Sequence, residues 1–188
     1  MRATLLILLT ACWSRGSAPP GNVGETPRPA PRPAVEPVDA PEDCMSRVEM
    51  WAPGNHDRYT FEDAATSLYG FKDGKGNIVV QPRFRYAYEF GPGGVAAAVD
   101  ANAKFVFFGP SGATLADAYP FDNGPDYFQE GYARIVDGNK KVGFVSDRGD
   151  IVIAPQFDEA EGFCHGVAEV KLGGATLRVD AHGLPTAP

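Results

Sequence analysis

Tyr69-Gly70-Phe71-Lys72-Asp73-Gly74-Lys75-Gly76-Asn77-Ile78-Val79-Val80-Gln81-Pro82-Arg83-Phe84 is matched nearly position for position by Val142-Gly143-Phe144-Val145-Ser146-Asp147-Arg148-Gly149-Asp150-Ile151-Val152-Ile153-Ala154-Pro155-Gln156-Phe157. The correspondence continues through Ala87 with Ala160, Phe90 with Phe163, Gly94 with Gly166 and Ala96 with Ala168, slipping by one residue near the glycines. A degenerate copy lies between them, with Phe107, Gly112, Phe121, Phe128, Gly131 and Ala133 in the corresponding roles. Turn glycines at 76, 112, 149 and 183 recur at intervals of 36, 37 and 34 residues, the last opening a fourth copy cut short after its first strand and turn. Self-similarity at this period marks a stacked array, in which each unit buries an apolar face on its neighbours.

Within a unit the pattern reads as strand, tight turn, strand, an aromatic-bearing segment and a third strand that feeds the next unit. Asp73-Gly74-Lys75-Gly76 and Asp137-Gly138-Asn139 supply residues that tolerate positive φ where the chain reverses. Pro82 and Pro155 can end strands but cannot donate to a central ladder. The phenylalanines at 84, 90, 121, 128, 157 and 163 are assigned to the core, because a small repeat fold needs to bury rings. The expectation is an all-β domain, an open, twisted stack of short antiparallel repeats, with a propeller-like ring as the alternative. Approximate units are 69–102, 103–138, 139–172 and a partial 173–188. Residues 44–68, with Trp51, Tyr59 and Phe61, are expected to cap the first unit, and Phe61-Glu62-Asp63-Ala64 looks like the aromatic-x-x-Ala piece of a decayed repeat.

These residues resemble the WG-repeat family. Its units carry an aromatic-Gly pair, an apolar-Asp-x-x-Gly turn, an apolar strand ending in Pro, an aromatic-x-x-Ala segment and a later Phe-x-x-Gly. The namesake tryptophan is absent: Tyr69-Gly70 and Val142-Gly143 hold its position, and Phe107-Phe108 stands there in the middle copy. What the resemblance implies is an interaction module; it implies no activity.

The amino terminus carries a separate set of signals. Arg2, the apolar run Leu5-Leu6-Ile7-Leu8-Leu9 and small residues before Cys12 read as an export signal over 1–11, too short to span a bilayer as a mature helix. Leu9-Thr10-Ala11-Cys12 resembles the lipobox of bacterial lipoproteins, which implies acylation of Cys12 and anchoring to the membrane by several acyl chains. By the same resemblance Trp13, a residue other than Asp after the cysteine, implies passage to the outer membrane. Residues 12–43 form a linker, where Pro19, Pro20, Pro27, Pro29, Pro31, Pro33 and Pro37 favour an extended spacer.

Composition excludes some functions. With 24 Asp and Glu against 17 Lys and Arg, a net charge of −7 argues against a nucleic-acid partner. Cys164 and His165 are adjacent, so on a strand they would face opposite sides and make no nucleophile and base pair. His56, His165 and His182 lack zinc-ligand spacing, and Asp73–Asn77 begins like a calcium loop but has Phe84 where a bidentate Glu is required. Arg148-Gly149-Asp150 and Ser111 fall on repeat turns. No catalytic, cofactor-binding or metal-binding residue is therefore assigned. With Cys12 acylated, Cys44 and Cys164 remain as an even pair. They are either two separate small core residues or a disulfide closing a loop of about 120 residues, worth about 4–5 kcal/mol in the chain-entropy account. The functional expectation is a non-enzymatic envelope lipoprotein whose repeats act as a protein- or ligand-binding or structural module, with a protein or envelope polymer as partner; the alternatives are an envelope hydrolase with a site built from loops and a passive surface or spacer protein with no specific ligand.

Overall fold

The computed structural model describes Cys44 and residues 53–186. Apart from a short 3-10 turn at Asn55–Asp57, the regular elements between residues 53 and 186 are strands: β1 (Tyr59–Asp63), β2 (Leu68–Lys72), β3 (Ile78–Phe84), β4 (Tyr86–Ala87), β5 (Ala96–Val99), β6 (Phe105–Phe108), β7 (Thr114–Ala118) and β8 (Pro120–Phe121). They continue with β9 (Gly124–Pro125), β10 (Tyr132–Val136), β11 (Val142–Ser146), β12 (Ile151–Phe157), β13 (Glu159–Ala160), β14 (Ala168–Leu172) and β15 (Ala175–Val179). The pairings are antiparallel, in sheets β1-β2-β3, β12-β11-β10-β7-β6-β5-β4, β13-β14-β15 and β8-β9, and none closes on itself. The fold is the expected open array.

Repetition is visible in the backbone hydrogen bonds. In the turn between the first two strands of each unit, Asp73 N–H donates to Asn77 O and Gly76 N–H to Asp73 O; the same pair of bonds recurs at Gly109/Ala113 and Gly112/Gly109, Ser146/Asp150 and Gly149/Ser146, and Asp180/Leu184 and Gly183/Asp180. Where the first turn residue carries an oxygen, its side chain doubles the turn: Asp73 Oδ1 accepts from the N–H groups of Lys75 and Asn77, and Asp180 Oδ1 from those of His182 and Leu184. Such local bonds fix a reversal without help from packing.

Each unit has its own core, and strands divide their residues between two of them. Ala96 and Ala98 of β5 join the first cluster, with Phe71, Phe84 and Phe90, while Val95 and Ala97 join the next, with Phe107 and Phe128. On β6, Val106 and Phe108 belong to the first cluster and Phe107 to the second. The period of two along a strand thus sends alternate residues to consecutive cores. On the strands that close the third core the outward positions turn polar. Glu169 and Lys171 of β14 are exposed, and Arg178 of β15 stands where Phe71, Phe107 and Phe144 stand in the full units.

Pro82 and Pro155 lie inside β3 and β12, at bulges where the register with β2 and β11 shifts. This differs from the expected strand end, and a bulge is a ladder position where a missing N–H costs nothing. The bulge folds back over the glycine of the aromatic-Gly pair: a Cβ on Gly143 would sit 2.4 Å from Ile153 O and 2.6 Å from Pro155 N, and one on Gly70 2.5 Å from Val80 O.

The middle unit is built differently. Turn register places Phe105-Val106, and not Phe107-Phe108, at the aromatic-Gly position. Val106 is allowed there because β7 runs Thr114–Ala118 with no proline bulge to cover it. The aromatic-x-x-Ala role falls to Leu115 and Ala118, since Asp117-Ala118 pair with β10 as Tyr86-Ala87 pair with β5 and Glu159-Ala160 with β14. Phe121, expected in the core, lies instead in a hairpin, β8–β9, inserted before Phe128, and is half-buried.

The described part of the amino-terminal segment laces over the first unit. Asn55 Nδ2 donates to Phe90 O at 3.0 Å, Arg58 Nε to Pro110 O at 3.0 Å, and Asp57 Oδ1 accepts from Gly74 N–H at 2.8 Å. β1 pairs with β2 as β5 pairs with β6 and β10 with β11. Phe61-Glu62-Asp63 is therefore a third strand, not an aromatic-x-x-Ala segment.

Gly143→Ala should destabilise the fold by about 2 kcal/mol, as overpacking against rigid backbone does. Gly138→Ala, with nothing within 4 Å of the added Cβ, should stay within about 0.5 kcal/mol of the parent. Equal midpoints in urea denaturation would contradict the close-approach account.

Candidate functional site

Where the repeats agree, their residues are explained by stacking; the middle unit departs, and around that departure lies a groove of about 670 Å³. Its floor is apolar, from Phe105, Ala118, Tyr119, Pro120, Val136 and Val142. Its rim is charged with both signs. Lys104 Nζ meets Asp117 Oδ2 at 2.8 Å, Lys141 pairs with Asp158, and Lys140 stands exposed at the β10–β11 turn. Asp137 is used up in that turn, its Oδ1 accepting from the N–H groups of Asn139 and Lys141.

The inserted hairpin is held by a buried cation. Arg134, on β10, occupies the alternating position filled by Ala97 in the first unit and points toward the third. Its Nε and Nη2 bind the two Asp126 oxygens at 2.9 and 2.7 Å, its backbone N–H binds Asp126 Oδ2 at 2.8 Å, and Nη1 reaches Ala160 O at 3.0 Å. The guanidinium carbon lies 4.6 Å from the Tyr119 ring and 5.0 Å from that of Phe121. Both partners are about 95% buried, at 5% and 4% exposure. Burial works against the Arg134 charge, but hydrogen bonding and attraction to Asp126 outweigh it and hold the group above its ordinary range. Arg134 thus ties together strand β10, the hairpin and the third unit; its donors are spent on the protein, and it is a positioning residue for the groove wall.

A second cluster lies at the Phe-x-x-Gly turn of the third unit. Cys44 and Cys164 form a disulfide with Cα atoms 5.6 Å apart, across 120 residues of sequence. His165 comes next in a left-handed turn conformation, φ 53°, which is not the extended strand assumed from sequence, so its ring does not point away from Cys164. One ring nitrogen is 3.9 Å from Cys164 Sγ and the other 4.0 Å from Cys44 Sγ. Glu130, from the equivalent turn of the middle unit, accepts the N–H groups of His165 and Gly166 through its two oxygens, each at 2.8 Å. Sequence spacing could not foretell this grouping, because its members come from three separate segments. His56 and His182 lie elsewhere, His56 Nε2 at 2.9 Å from Pro92 O and His182 in the fourth unit's turn. Cys12 lies outside the described residues.

The family model described as WG containing repeat matches residues 69–104 and 143–174, so the first and third units are similar to that repeat. No curated protein and no solved structure matches the chain. The matched stretches leave out the rearranged part of the middle unit, which contains the hairpin and most of the groove.

Asp126→Ala should cost about 3–5 kcal/mol, since it strands a buried cation, whereas Arg134→Met with Asp126→Leu should recover most of that loss; thermal denaturation of the two variants makes the comparison. Asp158 is held below the ordinary carboxylate range first by its hydrogen bond from Lys141 and then by that from Gly173 N–H. A depressed carboxylate favours the folded state above its unfolded value, and that contribution is lost as pH falls through the folded value. Lys141→Met should therefore raise the Asp158 titration midpoint in carboxyl-detected NMR; an unmoved midpoint would assign the shift to Gly173 alone.

Proposed function

We propose that the chain is a non-enzymatic cell-envelope lipoprotein, anchored through Cys12, whose repeat domain binds a polypeptide partner in the groove beside the β8–β9 hairpin. The observation that carries this reading is the compensated rearrangement of the middle unit: it gives up the proline bulge of its neighbours, inserts a hairpin, and places a buried ion pair behind the wall so formed. Stacking alone requires none of these changes. An apolar floor with a rim of both charge signs suits a protein segment presenting an apolar side chain among polar ones, the composition of transient protein interfaces.

Binding, not chemistry, is favoured by how the rim is occupied. Asp117 and Asp158 are each neutralised by a lysine and Asp137 caps a turn, so these carboxylates are engaged rather than poised for proton transfer. The amino-terminal residues support the address. An apolar run ending in Leu9-Thr10-Ala11-Cys12, with a proline-rich stretch after it, suits acylation and a spacer that holds a domain away from lipid.

Two measurements test the two halves. Cys12→Ala should abolish incorporation of labelled palmitate and move the protein out of the membrane fraction; retention of label would refute anchoring at this residue. A photo-crosslinking residue at Ala103 or Lys140, on the groove, should capture one protein in intact cells, and the same probe at Lys75 or Glu169 should not. Capture that is equal at all four positions, or absent at the groove, would refute the docking site.

A further inference from the structure

Cys44 Sγ, Cys164 Sγ and a ring nitrogen of His165 all lie within 4.8 Å of one another. Two sulfurs and one imidazole are the donor set that tetrahedral Zn²⁺ accepts while keeping a fourth position open. Zn–S bonds of about 2.3 Å and Zn–N bonds of about 2.0–2.1 Å put neighbouring ligand atoms about 3.5–3.8 Å apart around a tetrahedral ion. With a single His165 nitrogen within 4.8 Å of both sulfurs, an inward shift of up to about 1 Å, and a parting of the two sulfurs once their bond is broken, brings the three donors to these separations. In the disulfide the sulfurs hold each other and neither is a thiolate, which is the form a metal requires.

We propose that reduction of the Cys44–Cys164 disulfide turns this corner of the domain into a Zn²⁺ site, with both sulfurs and one His165 nitrogen as ligands. The reductant is a protein or small-molecule dithiol. Its thiolate attacks one sulfur of the disulfide to give a mixed disulfide, its second thiol resolves that bond, and two electrons and two protons pass to Cys44 and Cys164 as the reductant becomes a disulfide. Zinc then displaces the two thiol protons.

The turn is set for this before any metal arrives. Glu130 holds the N–H groups of His165 and Gly166 at 2.8 Å each, which fixes a histidine in the left-handed region, and Cys164 N–H donates to Val167 O at 2.8 Å on the opposite side of the same turn. His165 is exposed and the two cysteines are half-buried, so the open position faces solvent, where water or a partner's side chain completes the shell. The third unit supplies two adjacent ligands from a rigid turn. Cys44 supplies the last, so the metal, like the disulfide, ties the amino-terminal segment to the third unit.

The test uses the full chain with Cys12→Ser, so that no third thiol competes, titrated with Zn²⁺ against a chromophoric chelator. The reduced protein should bind one Zn²⁺ per chain, the disulfide form none, and reduced His165→Ala at least tenfold more weakly than its parent. Cobalt in place of zinc should give a sulfur-to-metal charge-transfer band only in the reduced protein. If reduction unfolds the chain, as judged by circular dichroism, zinc should restore the fold. Binding that is equal in the two redox states, binding unaffected by His165→Ala, a folded reduced protein that takes no zinc, or an unfolded one that zinc does not rescue would each overturn the proposal.

Discussion

The constraint on which this domain depends is that a strand shared between two units has no solvent face. Alternate residues of β5 and β6 enter consecutive cores, so both sets must be apolar: Val95, Ala96, Ala97 and Ala98 are all buried, as are Val106, Phe107 and Phe108. Those strands read as continuous apolar runs and not as the alternation of a half-exposed sheet. The same rule accounts for the polar outward positions of the last strands. Glu169, Lys171 and Arg178 occupy positions that would enter a further core, and a polar outer face is what a terminal repeat requires.

Against that rule Arg134 is the exception that makes the middle unit distinct. It sits at a position aimed into the next unit, where a small apolar residue serves in the first, and its burial is tolerable only because Asp126 and Ala160 O satisfy it. Asp126 comes from the inserted hairpin, so the cation and the insertion depend on each other. The groove is a consequence: its wall begins at Tyr119 and Pro120, where the chain leaves β7 to form that hairpin.

Much of this was legible in the residues. The pairing of Tyr69–Phe84 with Val142–Phe157, the turn at Gly183 and the core roles of Phe84, Phe90, Phe157 and Phe163 are set by turn chemistry and periodicity, which act over a few residues. What was not legible came from compensation. The middle copy keeps its 37-residue spacing by losing the bulge segment and gaining a hairpin, so Phe121 falls at the expected interval while Leu115 does the expected work. That Glu130 and His165 join the Cys44–Cys164 pair was hidden for another reason: stacking brings the equivalent turns of the middle and third units together, and no local spacing encodes a contact between segments more than thirty residues apart.

The disulfide also decides how the domain bears load. A pull delivered through the chain ahead of Cys44 passes straight across to Cys164 by a covalent bond and leaves along the chain beyond it. Strands β1 to β13 lie inside the closed loop and are bypassed, so a domain hung from its amino-terminal side would be strained only in β14, β15 and the chain after them. Shear between the first units, the ordinary weak point of a stack of hairpins, is taken out of the line of force.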